Sequence, residues 1–134
     1  MTPIRHLTIA IFALVMLSGA VPAGAHSHAP KAAGGIIDLS GWDFERDGTV
    51  PLDGEWDFYW MKLLSPAEAS AEQSGKESMT VPDSWTGKGR PGYGFATYHL
   101  RVIAPGKGLL GVKALDTATA YEIWIDGRLV LANG

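Results

Sequence analysis

The chain of 134 residues contains no cysteine. A disulfide scaffold is therefore excluded, and so are thiolate-bound zinc and iron–sulfur clusters. Long runs of one charge are missing as well: nowhere do about five like charges follow one another. With Lys+Arg 11 against Asp+Glu 14 and a net charge of −3, the chain offers no basic patch for phosphates. A nucleic-acid partner is excluded on that ground. Only 19% of residues are charged and 46% are hydrophobic, a balance that supports a packed core rather than intrinsic disorder. The length admits one domain.

What is present begins with an export signature. Arg5 and His6 form a short polar start, Leu7 to Leu17 is an almost unbroken apolar run, and Ala23-Gly24-Ala25 ends it as a small-x-small site. This grammar predicts a signal peptide over residues 1–25 and a periplasmic or otherwise extracytoplasmic product. Gly19, Pro22 and Gly24 suit a cleavage region better than a membrane helix. Cleavage removes one base and no acid, so the mature chain stays acidic, and it keeps all five Trp. Residues 26–35, small and polar, read as a flexible lead-in.

Residues 36–134 are punctuated by Gly, Pro and Asp. Ile36 to Leu39 reads as a short strand. Trp56, Phe58 and Trp60 alternate with Glu55, Asp57 and Tyr59, the period of a half-buried strand. Ser65-Pro66-Ala67-Glu68 combines a cap, a proline at the first helical position and the acid of a capping box, and predicts a helix ending near Gln73. Met79 to Val81 is extended. Thr97 to Ile103 reads as one strand with Tyr98, Leu100 and Val102 on a face. Leu110, Val112 and Ala114 mark another strand, and Tyr121, Ile123 and Ile125 a third. Asp126-Gly127 predicts a two-residue hairpin returning over Arg128 to Leu131. Many short strands and one helix predict an all-β sandwich. Its expected core is Trp42, Trp56, Phe58, Trp60, Tyr98, Leu100, Val102, Tyr121, Ile123 and Ile125.

Several chemical motifs have a plain structural reading beside the functional one. His26-Ser27-His28 at a new N-terminus offers nitrogen ligands for Cu(II) or Ni(II), against the reading of a solvated terminus. Asp43-x-Glu45-x-Asp47-Gly48 resembles the opening of a calcium loop, but Gly54 stands where that loop needs its bidentate Glu. A turn between strands explains the same residues. Asp53, Glu55 and Asp57 read as a solvated strand face. Ser84 lacks the glycines of a nucleophile elbow, and His99, beside Arg101, reads as a surface residue. No catalytic residue, metal or cofactor is expected. The glycine-rich stretch Gly87 to Gly94 places Trp85, Arg90 and Tyr93 in or beside one loop. Aromatic planes stack on sugars, and arginine binds hydroxyls or carboxylates. These three are the candidate ligand-binding residues, for an unidentified small molecule or carbohydrate, against the reading that Trp85 and Phe95 cover the core edge.

Five blocks in fixed order carry a family resemblance: Leu52-Asp53-Gly54-Glu55-Trp56-Asp57-Phe58-Tyr59-Trp60, Leu63-Leu64-Ser65-Pro66, Val81-Pro82-Asp83-Ser84-Trp85, Gly92 to Val102, and Thr117 to Gly127. Together they resemble the N-terminal extracytoplasmic domain of bacterial seven-transmembrane receptors with diverse intracellular signalling modules. The resemblance implies a galactose-binding-like jelly roll with one short helix, a role in ligand sensing rather than catalysis, and further strands and seven membrane helices beyond Gly134. The output in such receptors is a kinase, cyclase, diguanylate cyclase or phosphatase. More weakly, the blocks resemble the sugar-binding domain of glycoside hydrolase family two, which implies a carbohydrate-binding module of a secreted glycosidase. A free-standing periplasmic binding protein is the third expectation.

Overall fold

The computed structural model describes residues 28–106, 108–115 and 119–134. The expected export signal, and His26 with Ser27, lie outside them. The described residues are mostly strands with two short α-helices, compatible with an all-β fold. Strand β1 (Ile36–Asp38) is followed by helix α1 (Phe44–Asp47), β2 (Gly54–Trp60), α2 (Pro66–Ala71) and β3 (Glu77–Val81). A 3₁₀ turn (Trp85–Lys88) leads to β4 (Ala96–His99), β5 (Arg101–Ile103), β6 (Tyr121–Ile125) and β7 (Arg128–Asn133). Among the described residues the strands form three sheets: antiparallel β3-β2-β4, the parallel pair β1-β5 and the hairpin β6-β7.

The local signals are met closely. The Ser65 hydroxyl accepts the Glu68 N–H, and the Glu68 carboxylate accepts the Ser65 N–H in return, so the capping box satisfies two otherwise orphaned donors. Asp126 and Gly127 both take positive φ, 49° and 76°, as a type I′ hairpin requires. The calcium-like acids form a helical turn. Asp43 caps α1 by accepting the N–H groups of Glu45 and Arg46, and Asp47 pairs with Arg46 at 2.6 Å.

Three expectations, about strands and core, are corrected, and a contact of the lead-in is seen. The strand expected over Thr97 to Ile103 breaks at Leu100: β4 pairs with β2, whereas β5 pairs with β1. Alternation reports which face is apolar but not which neighbour a strand chooses. Leu110, Val112 and Ala114 form no strand, because no described strand pairs with them, and Leu110 and Val112 are exposed. The lead-in is anchored at its end. The Ala32 N–H donates to Asp53 O at 2.7 Å, Ala32 O accepts the Glu55 N–H at 2.8 Å, and Ala32 is buried. The core is also redistributed. Phe58 and Trp42 are buried as expected, and Trp56, Trp60, Tyr98, Leu100, Tyr121 and Ile123 are half-buried. Val102 is 42% and Ile125 39% exposed. Their places are taken by Ile37, Leu39, Ala32, Tyr59, Ala69 and Met79.

Two packing centres follow. One gathers Ala32, Ile37, Leu39 and Trp42 around β1, with Trp56 and Leu100 against them. The other lies on β2, which is covered on both faces. Phe58 is buried on one face. On the other Tyr59 is buried under α2, and its hydroxyl donates to the carbonyls of Ala69 and Glu72 at 3.0 and 3.1 Å. Burial pushes the Tyr59 phenol up from its ordinary pKa, with Asp57 and Glu72 adding to the shift. The β6-β7 hairpin instead leaves Trp124, Leu129, Val130 and Leu131 exposed.

Candidate functional site

The antiparallel sheet sets Glu77, Phe58 and Tyr98 in one row across β3, β2 and β4, because these residues stand opposite one another in register. Phe58 meets the Tyr98 ring edge at 4.9 Å and stacks with Trp60, two residues along β2, at 6.2 Å. Aromatic rings on one face of adjacent strands interact in this way. After β3 the chain turns at Pro82 and runs through the 3₁₀ turn and the glycine-rich loop back over this face.

That return path brings two of the three sequence candidates together. Ser84 caps the 3₁₀ turn by accepting the Thr86 N–H, and its hydroxyl shares a hydrogen bond with Thr86 Oγ1 at 2.7 Å. Ser84 thus has a structural role. The turn lays Trp85 edge-on to Trp60, with centroids 5.2 Å apart. The Arg90 N–H donates to Trp85 O at 3.2 Å. This bond positions the Arg90 guanidinium over the rings of Phe58 and Trp60, 5.2 and 5.0 Å from their centroids. The same guanidinium pairs with Glu77, and its side chain is only 19% exposed. Arg90 Nε is buried and has no hydrogen-bond partner among the described residues.

Tyr93 does not join this corner and is 84% exposed on the loop. The loop itself passes tightly over Trp60: a Cβ at Gly94 would strike the Trp60 ring. Tyr98 completes the floor. Its phenol is pushed up chiefly by burial, further up by Asp83, and partly back by Arg90. Asp83 in turn lies 3.7 Å from Lys88 Nζ. Glu77 and Asp83 were absent from the sequence candidates. Glu77 reaches the corner through the cross-strand register and Asp83 through the turn after β3, and a single sequence displays neither.

Two other groupings have less reach. On the opposite sheet face Asp57 is held between Lys76 and His99, each at 3.4 Å, and is 15% exposed, so it does not belong to a freely solvated face. A recess of about 350 Å³ beside α1 is lined by His28, Asp38, Trp42, Arg46 and Asp47. Its charges are already engaged, Arg46 by Asp47 and Asp38 by Ser40. Hydrogen bonds from the Ser40 side chain and backbone hold the Asp38 carboxyl below its usual value. No group of metal-ligating side chains occurs among the described residues, and no described helix is long and apolar enough to cross a membrane. Compared with known proteins, the chain matches no family model, no curated protein and no solved structure.

Proposed function

We propose that the chain is an exported ligand-sensing domain, non-catalytic in itself, and that it meets its ligand at the corner built by Trp85 and Arg90. In this reading the sheets belong to a galactose-binding-like jelly roll at the extracytoplasmic end of a bacterial membrane receptor. The observation that carries the site is the half-exposed Trp85, held edge-on to Trp60 and hydrogen-bonded through its backbone to Arg90. A rigid indole at the rim of a sheet, with polar groups beside it, is the chemistry of stacking recognition. Tyr93, exposed on the same loop, supplies a further ring that can close on a bound molecule. Signalling then requires that the ligand bind one receptor state better than the other, and the bias cannot exceed that difference in affinity.

The test is calorimetric titration of the whole chain with a panel of monosaccharides and small carboxylates, in wild type and Trp85→Ala. Binding that Trp85→Ala weakens at least tenfold supports the site. Binding that survives Trp85→Ala places the ligand elsewhere.

A further inference from the structure

The corner is furnished for a cation, not for an anion. Two aromatic faces, Phe58 and Trp60, receive the guanidinium of Arg90 at 5.2 and 5.0 Å. Ring faces carry negative charge in their quadrupole and attract cations. Glu77 pairs with the same guanidinium from the adjacent strand, and Asp83 acts on Tyr98 at the other side. An arginine placed to bind a carboxylate ligand would present its N–H fork outward. Here Nη2 is committed to Glu77, the side chain is mostly covered, and Nε is buried with no hydrogen-bond partner among the described residues. Arg90 therefore lies over both rings without satisfying all of its own donors.

We propose that Phe58, Trp60, Trp85 and Glu77 form a cage for a small guanidinium-type cation, which the chain occupies with its own Arg90, and that such a cation competes with Arg90 for the seat. The proposal rests on the reading of this corner as the ligand site and narrows its ligand class. A free cation must displace a group that the chain holds beside the seat at high effective concentration, but it is freer to orient. It can turn each N–H toward Glu77, Asp83 or water, whereas the backbone of Arg90 is fixed by its bond to Trp85. Release of Arg90 would free the loop from residue 89 to 95, whose far end is held by the Met61 N–H donating to Phe95 O at 2.9 Å. Occupancy of the cage is thereby linked to the position of Tyr93.

The experiment titrates the whole chain with methylguanidinium chloride against sodium chloride at equal ionic strength, following the indole N–H resonances by NMR. Arg90→Ala vacates the seat, and Arg90→Gln does so while keeping more of the stem if Arg90→Ala fails to fold. The expected result is saturable binding that shifts the Trp60 and Trp85 signals, at least tenfold tighter in the Arg90 variant that folds than in wild type, and weakened at least tenfold when Glu77→Gln is added. Equal affinity in wild type and that variant overturns the proposal, as does indifference to Glu77→Gln. If both Arg90 variants fail to fold, wild type decides: displacement of the Arg90 Nε–H signal by methylguanidinium supports the cage, and an unmoved signal overturns it. Sugars or carboxylates that bind through Trp85 while methylguanidinium does not would overturn the cation class and leave the ligand site standing.

Discussion

Gly54→Ala tests how the start of the described chain is built into the sheet. Gly54 opens β2 at φ +121°, a conformation that side-chain-bearing residues rarely adopt. A Cβ there would collide with Ala32 O and lie 2.7 Å from Ala32 N. Both atoms are backbone, so no rotamer change relieves the contact. The strain of the dihedral costs about 1–3 kcal/mol. Displacing Ala32 breaks its bonds to Asp53 O and from the Glu55 N–H, at about 0.5–1.5 kcal/mol each. The expected loss is about 2–6 kcal/mol from these terms together, a large share of what a small domain possesses. The assay is urea unfolding followed by tryptophan fluorescence, with Gly41→Ala as control, because a Cβ at Gly41 meets nothing within 4 Å. The midpoint should fall in Gly54→Ala at unchanged slope and stay near wild type in the control. If both variants unfold within about 0.5 kcal/mol of wild type, the docking of Ala32 on Gly54 is wrong.

Tyr59→Phe keeps the buried ring and removes the hydroxyl that serves the Ala69 and Glu72 carbonyls, so denaturant unfolding should show a loss of about 1 kcal/mol. The Glu68 carboxyl is held below its usual value by the Ser65 side chain, then by the Ser65 backbone N–H. Its contribution is therefore present above the ordinary glutamate pKa of about 4.3 and is lost as the pH falls through the lowered folded value. As the pH falls below about 4.3, the unfolding midpoint of wild type should drop more steeply than that of Glu68→Ala. Leu129→Lys, on the exposed hairpin, should change global stability by less than about 0.5 kcal/mol in the same unfolding assay.

How much of this was legible depended on whether the partner lay nearby in sequence. The Ser65–Glu68 box and the Asp126-Gly127 turn are complete within a few residues, and both were read correctly. The alternation of Trp56, Phe58 and Trp60 placed one face of β2, but Tyr59 is buried by α2, which a strand pattern cannot announce. Leu100 looked continuous with Tyr98 and Val102 because alternation is blind to a change of pairing partner. Trp85 and Arg90 were singled out by residue type, and the structure brings them together, while Tyr93 stays apart. The commitment of Arg90 to Glu77, thirteen residues earlier on β3, depends on the loop folding back over the sheet, which the sequence alone does not display.

The most direct test of the ligand site follows the indole N–H signals of the whole chain by NMR during titration with galactose, N-acetylglucosamine, citrate and methylguanidinium in turn. The corner reading predicts that at least one of these moves the Trp60 and Trp85 signals together and leaves Trp42 and Trp124 in place. Shifts confined to Trp42 or Trp124, or no shift with any of the four, would contradict it.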